Sequence, residues 1–429
     1  MRWAGAGRAL GQCCGLAWLV ADKLTVANTG GVNAAVKVPA LVAGMVAGAD
    51  CINDMDLLRH GGMNRLFHGG RAPSTLGTFL RSFTFGHVRQ LDSVASAFLA
   101  RLAAASPLLP AAGTVAYVDV DDTVREVHGY AKQGVGFGYS GVKGLNALIA
   151  TVSTPSASPV IAATRLRRGS VNSAKGAARL VADALVTAKA VGADGADGAD
   201  GADGSGLVLL RADSAFFTHD VVAAARRGGA RFSITARMNP AVTAAISSIH
   251  QDSWTPIQYP NALWDADEHR WISDAEVAEV PFTAFTSRRK AEHLTARLLV
   301  RRVKRLNPRS ATGPGEQGEL FAAYRYHAVF TDSPLALIDA DQTHRAHAII
   351  EQVIADLKNG PLAHLPSGKF TANAAWLVLA AIAFNLLRAA GCLASRLHAK
   401  ATTGTIRAQL INIPARLARS ARRLVLHLP

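Results

Sequence analysis

VAYVDVDDT, residues 115–123, alternates apolar residues and then gathers three carboxylates within four positions. If the stretch is extended, its period of two puts Asp119 and Asp121 on one face at the strand's C-terminal end, where open α/β sheets carry their sites. Adjacent like charges repel unless a cation lies between them. A divalent metal is the economical partner, because Mg2+ takes hard oxygen ligands from one or two carboxylates and leaves room for phosphate oxygens. The simpler alternative is a pair of solvated acids at a strand end.

Strands and helices alternate downstream of this stretch. GVKGLNALIATVS, LVLLRAD and RFSITA read as strands, while SAKGAARLVADALVTAKAV and THDVVAAARRGG read as helices, which is an α/β pattern. GADGADGADGADG, residues 192–204, repeats a three-residue unit and reads as a flexible connection without chemistry. From about Met238 to Ser333 the chain turns β-rich and basic, with FTAFTSRR, RLLVRRVKRL and AYRYHAVFTD following Trp254, Trp264 and Trp271. Arg297, Arg301, Arg302, Lys304 and Arg305 are expected on a strand edge, either contacting phosphates or discouraging edge-to-edge aggregation.

Upstream, residues 1–110 read as helical. Leu91, Val94, Phe98 and Leu102 share one helix face, and Pro73-Ser74 resembles a helix start. Short helices joined by turns are compatible with a helix-turn-helix DNA-binding unit, and equally with plain core packing. The opening MRWAGAGRALGQCCGLAWLV is unusual enough for a truncated or re-initiated N-terminus.

The 429 residues are too many for one ordinary core, so two or three domains are expected. Lys and Arg number 46 against 31 Asp and Glu, a net charge of +15 that favours a polyanionic partner, nucleic acid first. The 73 residues after Asp356 hold ten Lys or Arg and no acid. Cys13, Cys14, Cys51 and Cys392 show no CxxC spacing, which suits a reducing compartment such as the cytoplasm and argues against a zinc site. Ala374–Leu387 is too short for a membrane span and contains Asn385, so no insertion is expected.

Two more acids complete a constellation. Asp213 follows the apolar strand of LVLLRADSAF, which puts it at a strand's C-terminal rim. In HRAHAIIEQVIADLKNG, His344, His347, Glu351 and Lys358 recur along one helical stripe beside the apolar stripe of Ile350, Val353, Ile354 and Leu357. Asp121 in D-x-T after a strand, Asp213 after another and Glu351 on a late helix together resemble the acidic triad of DDE transposases. Glu351 and Lys358 match the last two places of the signature Y-x2-R-x3-E-x6-K, with His344 and His347 where Tyr and Arg are usual. DVDDTVREVHGYAKQGVGFGY and LPSGKFTANAAWLVLAAIAFNLLRA are most similar to the insertion sequence thirteen-eighty family, over about residues 50–400.

The resemblance implies a ribonuclease-H-like α/β core interrupted by a β-strand-rich insertion and preceded by a helical N-terminal domain. The corresponding division is 1–110 for DNA binding, 111–237 and 334–390 for the catalytic core, 238–333 for the insertion and 391–429 for a basic tail. It also implies that Asp121, Asp213 and Glu351 hold two Mg2+, or Mn2+, about 3.5–4 Å apart, with Asp119 as the alternative to Asp121. Water then cuts at the element's ends and the freed 3′-hydroxyl attacks target DNA. Lys358, His344, His347, Arg301 and Arg302 are the expected nucleic-acid contacts. The implied partner is double-stranded DNA, as terminal inverted repeats and target, bound by a homodimer in the cytoplasm at the nucleoid. Two other readings remain open: a decayed transposase that only binds DNA, and a haloacid-dehalogenase-like phosphatase, because DVDDT also fits D-x-D-x-T with Asp119 as nucleophile. The second lacks the downstream acidic pair it requires.

Overall fold

A computed structural model describes residues 10–26, 29–66, 69–128, 132–138, 141–194, 206–258, 263–265, 270–272, 275–304, 324–420 and 423–427. Its centre is a ten-stranded mixed sheet. In chain order the strands are β1 (Val115–Glu126), β2 (Gly136–Phe137), β3 (Lys143–Thr154), β4 (Ala157–Arg168), β5 (Leu207–Ala212), β6 (Arg231–Thr235), β7 (Thr255–Ile257), β8 (Leu263–Asp265), β9 (Arg270–Ile272), β10 (Ala275–Ala284), β11 (Leu294–Lys304), β12 (Tyr324–Thr331), β13 (Arg416–Ser420) and β14 (Arg423–His427). The sheet runs β3-β1-β5-β6-β12-β11-β10-β7, with β2 and β4 both pairing β3. β8 with β9, and β13 with β14, form separate two-stranded ribbons.

β1, β5 and β6 are parallel, and the other pairings are antiparallel. A parallel pair needs a crossover, and helices Ala177–Ala190 and His219–Arg227 supply the two that lead into β5 and β6. The chain is therefore mixed α/β, as the alternation predicts. β1 runs five residues past the expected end at Asp121, because DTVRE continues pairing with β3 after β5 has stopped. β4 is a strand that the sequence pattern does not single out.

The β-rich stretch 238–333 continues the central sheet, through the pairing of β12 with β6. β11 lies between β10 and β12, so its arginines are not on an edge, contrary to expectation. The centre of GADGADGADGADG and Arg305 lie outside the described residues.

Helix Phe370–Ala394 is buried along nearly its whole length. It is long and apolar enough to cross a membrane, yet 83% of its apolar window is buried within the protein. Its polar residues have internal partners. Asn385 Nδ2 donates to the carbonyl of Ile161 and its Oδ1 accepts from the Ile161 N–H, both at 2.8 Å, so one side chain satisfies the outward backbone groups at that point of β4. Helices Leu16–Lys23, Ala34–Ala47, Pro73–Arg81 and Phe85–Ala105 share one hydrophobic cluster with this helix and the sheet. Phe85–Ala105 begins with a Thr84–His87 capping box, and it buries Leu91, Val94, Phe98 and Leu102. The apolar faces of the helix pair 73–105 are packed into the core.

The expected basic tail is partly core as well. Arg388 and Arg407 are buried. Arg388 donates to the carbonyls of Ala399 and Ala401, and Arg407 to Thr403. The Asp356 carboxylate accepts from Thr403 N and Oγ1, each at 2.7 Å, which fastens residue 403 to helix Ile349–Lys358. Arg416 and Arg419, on β13, are exposed.

Candidate active site

The three acids of DVDDT meet three different environments. Asp119 is fully buried, and both of its oxygens are engaged by Arg211 of β5, Nε to Oδ1 and Nη2 to Oδ2 at 2.7 Å. Parallel register makes these two residues direct cross-strand neighbours. The guanidinium also lies over the Tyr117 ring, 4.1 Å from its centroid, and donates to the Thr343 carbonyl. Asp119 is thus a fully buried carboxylate with each oxygen held by the Arg211 guanidinium.

Asp122 points to the opposite face of β1. Arg167, Asn146 and Ser173 all donate to its carboxylate. Arg167 also donates to Asn146 Oδ1 and to the carbonyls of Ser173 and Lys175. The network ties β1, β3 and β4 to the approach of helix Ala177–Ala190, and its role is structural.

Asp121 differs from both. Among the described residues its one hydrogen bond comes from the Asp122 N–H, 2.7 Å from Oδ1. Burial, and then the charges of Asp213, Asp122 and Glu351, push its carboxyl from the usual 3.8 up to about 7. Val120 and Ala212 are the last partners in the β1–β5 register, so Asp121 and Asp213 follow side by side where the parallel pair ends, with the strands about 4.8 Å apart. Asp213 accepts from the Ala215 N–H at 2.9 Å, which fixes its carboxylate at the start of a single helical turn. Burial, along with Asp122, raises it too.

Glu351 sits on the exposed side of helix Ile349–Lys358, whose Ile350, Val353, Ile354 and Leu357 are buried as the two-stripe pattern predicts. Seven residues further along, Lys358 is half-buried. Burial and then Arg125 lower its pKa, and the charge of Asp121 raises it. Arg125, four residues after Asp121 on the same face of β1, was not singled out from the sequence. Its Nε is buried without a partner. The site therefore has three acids on two strands and a helix, bordered by Lys358 and Arg125.

The expected stripe from His344 to Lys358 is broken. Leu337–Arg345 and Ile349–Lys358 are separate helices joined by the tighter turn Ala346–Ala348. The break turns His344 inward, where its nitrogens meet Ser233 Oγ at 2.9 Å and Thr235 Oγ1 at 3.0 Å. Burial, with the neighbouring cations, lowers it to about 3, so the expected DNA contact is a neutral, buried imidazole here. His347 stays near the acids, and its charge lowers both Asp119 and Asp213. Its Nδ1 lies 2.7 Å from the His344 carbonyl. A carbonyl oxygen only accepts, so Nδ1 carries the proton and Nε2 is the nitrogen left for other partners.

Arg302, also expected as a nucleic-acid contact, has its partners inside the fold. It is buried, bonded to Glu276 and Gln251, and held between Trp254 and Tyr324 at 4.2 and 4.7 Å from the ring centroids. Arg301 pairs with Asp341 at 3.3 Å, and its Nε is buried. Arg297 is bound to Glu279 and to the carbonyls of Ser333 and Leu335. Each of these arginines has an acidic partner within the fold. Lys304 lies on β11, but its side chain, like that of Trp264 and Trp271, falls outside the description.

The family model described as Transposase DDE domain group 1 matches residues 38–429. The chain belongs to the DDE transposase family. No curated protein matches it. DDE transposases generally use divalent metals, and hard carboxylate oxygens of the kind carried by Asp121, Asp213 and Glu351 suit such ions. Asp121 is a buried carboxylate crowded by two other acids, without a basic hydrogen-bond partner among the described residues.

A pH experiment follows from this crowding. With the folded pKa of Asp121 near 7 against 3.8, protonation favours the fold. That contribution is complete below 3.8 and is lost as pH climbs through about 7. In chelator, Asp121→Asn is expected to melt above the parent on the alkaline side of this range and level with it on the acid side. A melting difference that does not change with pH would rule out the crowding.

Proposed function

We propose that the chain is an active transposase that cuts DNA at the ends of a mobile element and joins those ends to target DNA, with Asp121, Asp213 and Glu351 as its metal ligands. One observation carries the reading: Asp121 is the acid of DVDDT without a basic hydrogen-bond partner among the described residues, and Asp213 and Glu351 both raise its pKa. The order β4-β3-β1-β5-β6, an antiparallel meander followed by two parallel additions, supports a ribonuclease-H-like core. On this reading residues 111–237 and 334–390 form the core, 238–333 the insertion, and 1–110 with 391–429 the DNA-binding flanks. The likeness to the insertion sequence thirteen-eighty family stands on the stretches quoted above.

When bound, divalent cations, Mg2+ or Mn2+, supply charge neutralisation and Lewis acidity toward phosphoryl oxygens. Asp121 and Asp213 hold fixed positions because their strands are paired to within one residue of them. Glu351 approaches from the docked helix. On this reading Lys358 and Arg125, which border the acids, donate hydrogen bonds to the scissile phosphate, and His347, whose charge is felt by Asp119 and Asp213, adds positive charge beside them. Joining two ends in one event is the reason to expect a homodimer on DNA, in the cytoplasm at the nucleoid.

The test uses DNA flanking the coding region. Duplexes carrying its terminal inverted repeats should be nicked at the repeat boundary by the full chain with Mg2+ and left intact in EDTA. Binding without cutting would make the chain a DNA-binding relic. Removal of Lys358 or Arg125 as Ala is expected to slow cleavage about ten- to a hundredfold each, the worth of one hydrogen bond to a charged group. Undiminished cleavage by either variant would take that residue off the phosphate.

A further inference from the structure

A second cluster of metal-ligating groups lies outside this site. Asp50 and Cys51 lie between helix Ala34–Ala47 and the short helix Asn53–Leu58, Asp54 lies in the first turn of that helix, and the ligand atoms of all three lie within 4.8 Å of one another. The turn is built to hold them. Asp54 Oδ2 accepts the N–H groups of both Asp50 and Cys51 at 3.2 Å, which fixes its carboxylate against the backbone. A fourth donor arrives from 314 residues away: His364 Nδ1 stands 3.0 Å from Asp50 Oδ1. His364 belongs to the segment between the Glu351 helix and helix Phe370–Ala394.

We infer that Asp50, Cys51, Asp54 and His364 form a structural zinc site that fastens the N-terminal helices to the segment following the Glu351 helix. The donor set selects the ion. A thiolate and an imidazole favour a borderline-soft cation over Mg2+, and four donors with no surplus suit a closed tetrahedral site. Bonds of about 2.0–2.3 Å place tetrahedral ligand atoms about 3.3–3.8 Å apart. Three ligand atoms, those of Asp50, Cys51 and Asp54, already lie within 4.8 Å of one another, and the exposed His364 side chain, 3.0 Å from Asp50 but outside that group, must swing inward to complete the site. Two carboxylates beside one thiol, with a single imidazole as the neighbouring base, are also the charge balance that a divalent cation corrects. Binding takes the thiolate and the neutral imidazole, so the Cys51 proton passes to solvent as the S–Zn bond forms. CxxC spacing is a poor guide to such a site, because its fourth ligand is more than 300 residues from the other three.

Cobalt(II) is the probe, in the full chain carrying Asp121→Ala so that the acidic site contributes little. The expected result is one equivalent bound with an intense thiolate-to-cobalt charge-transfer band, displaced by zinc. The band should disappear in Cys51→Ser and persist when Cys13 and Cys14 are both changed to Ala. Zinc should raise the melting temperature in proportion to the logarithm of its concentration. His364→Ala, a change at an exposed side chain, should weaken zinc at least about tenfold while the metal-free melting temperature holds, and it carries the test if Cys51→Ser does not fold. Cobalt uptake without a thiolate band, a band that survives Cys51→Ser, or zinc affinity unchanged by His364→Ala would each overturn the site.

Discussion

Asp121→Ala, Asp213→Ala and Glu351→Ala are each expected to reduce DNA strand cleavage by more than about a thousandfold while leaving binding to the repeat ends near the parent level. Groups that act as one unit lose most of their function when any one is removed, so the double variants should be scarcely worse than the single ones. Asp121→Ala removes the proposed ligand whose carboxyl Asp213 and Glu351 help to raise to about 7. Gel shift and cleavage measured on the same repeat duplex separate the two activities. Cleavage retained in any single variant removes that residue from the triad. Asp119 supplies the control, because its carboxylate is closed off by Arg211. Asp119→Ala should lose activity only as fast as it loses folded protein.

Arg211→Met is expected to have the largest effect on stability. Breaking a buried ion pair from one side typically costs about 3–5 kcal/mol, because the remaining charge stays buried and uncompensated. Here the remaining charge is Asp119, fully buried and already raised by desolvation against the pull of Arg211. Its folded pKa rises further once the guanidinium is gone. The deficit should then be full at neutral pH and shrink as acid neutralises the carboxyl. Arg211→Met with Asp119→Leu should recover most of the loss, since apolar replacement of a whole buried pair is often neutral or better. Denaturant titration of the four-membered cycle gives the coupling. A single variant that unfolds at the parent midpoint would mean that the pair contributes nothing.

The parts legible in the sequence were those set by local rules. Apolar runs marked β1, β3, β5 and β6, and helical periodicity marked the docking side of the Glu351 helix. Acids placed just past apolar strands appear at strand ends because strand termination is itself local. Pairing is not local. Nothing in DVDDT says that Asp119 will face Arg211, which depends on the parallel register of β1 with β5. The break at 346–348 carries no Gly or Pro, so the histidines seemed to continue one stripe until tertiary contacts with Ser233 and Thr235 turned His344 inward. The arginines of RLLVRRVKRL read as available because their partners, Glu276, Glu279 and Asp341, lie on other elements. β4 follows its partner β3 after two residues, but the helix Phe370–Ala394 that covers it lies more than 200 residues away in the chain.

The helices of residues 16–105 have their apolar sides against a helix that begins at Phe370. A ribosome adding about 5–20 residues per second needs tens of seconds to bridge that interval. During synthesis the first quarter of the chain must wait, greasy and unpartnered, for a segment near the other end. A nascent chain of this kind depends on chaperones at the exit tunnel, and fragments released early should aggregate rather than compete with finished molecules.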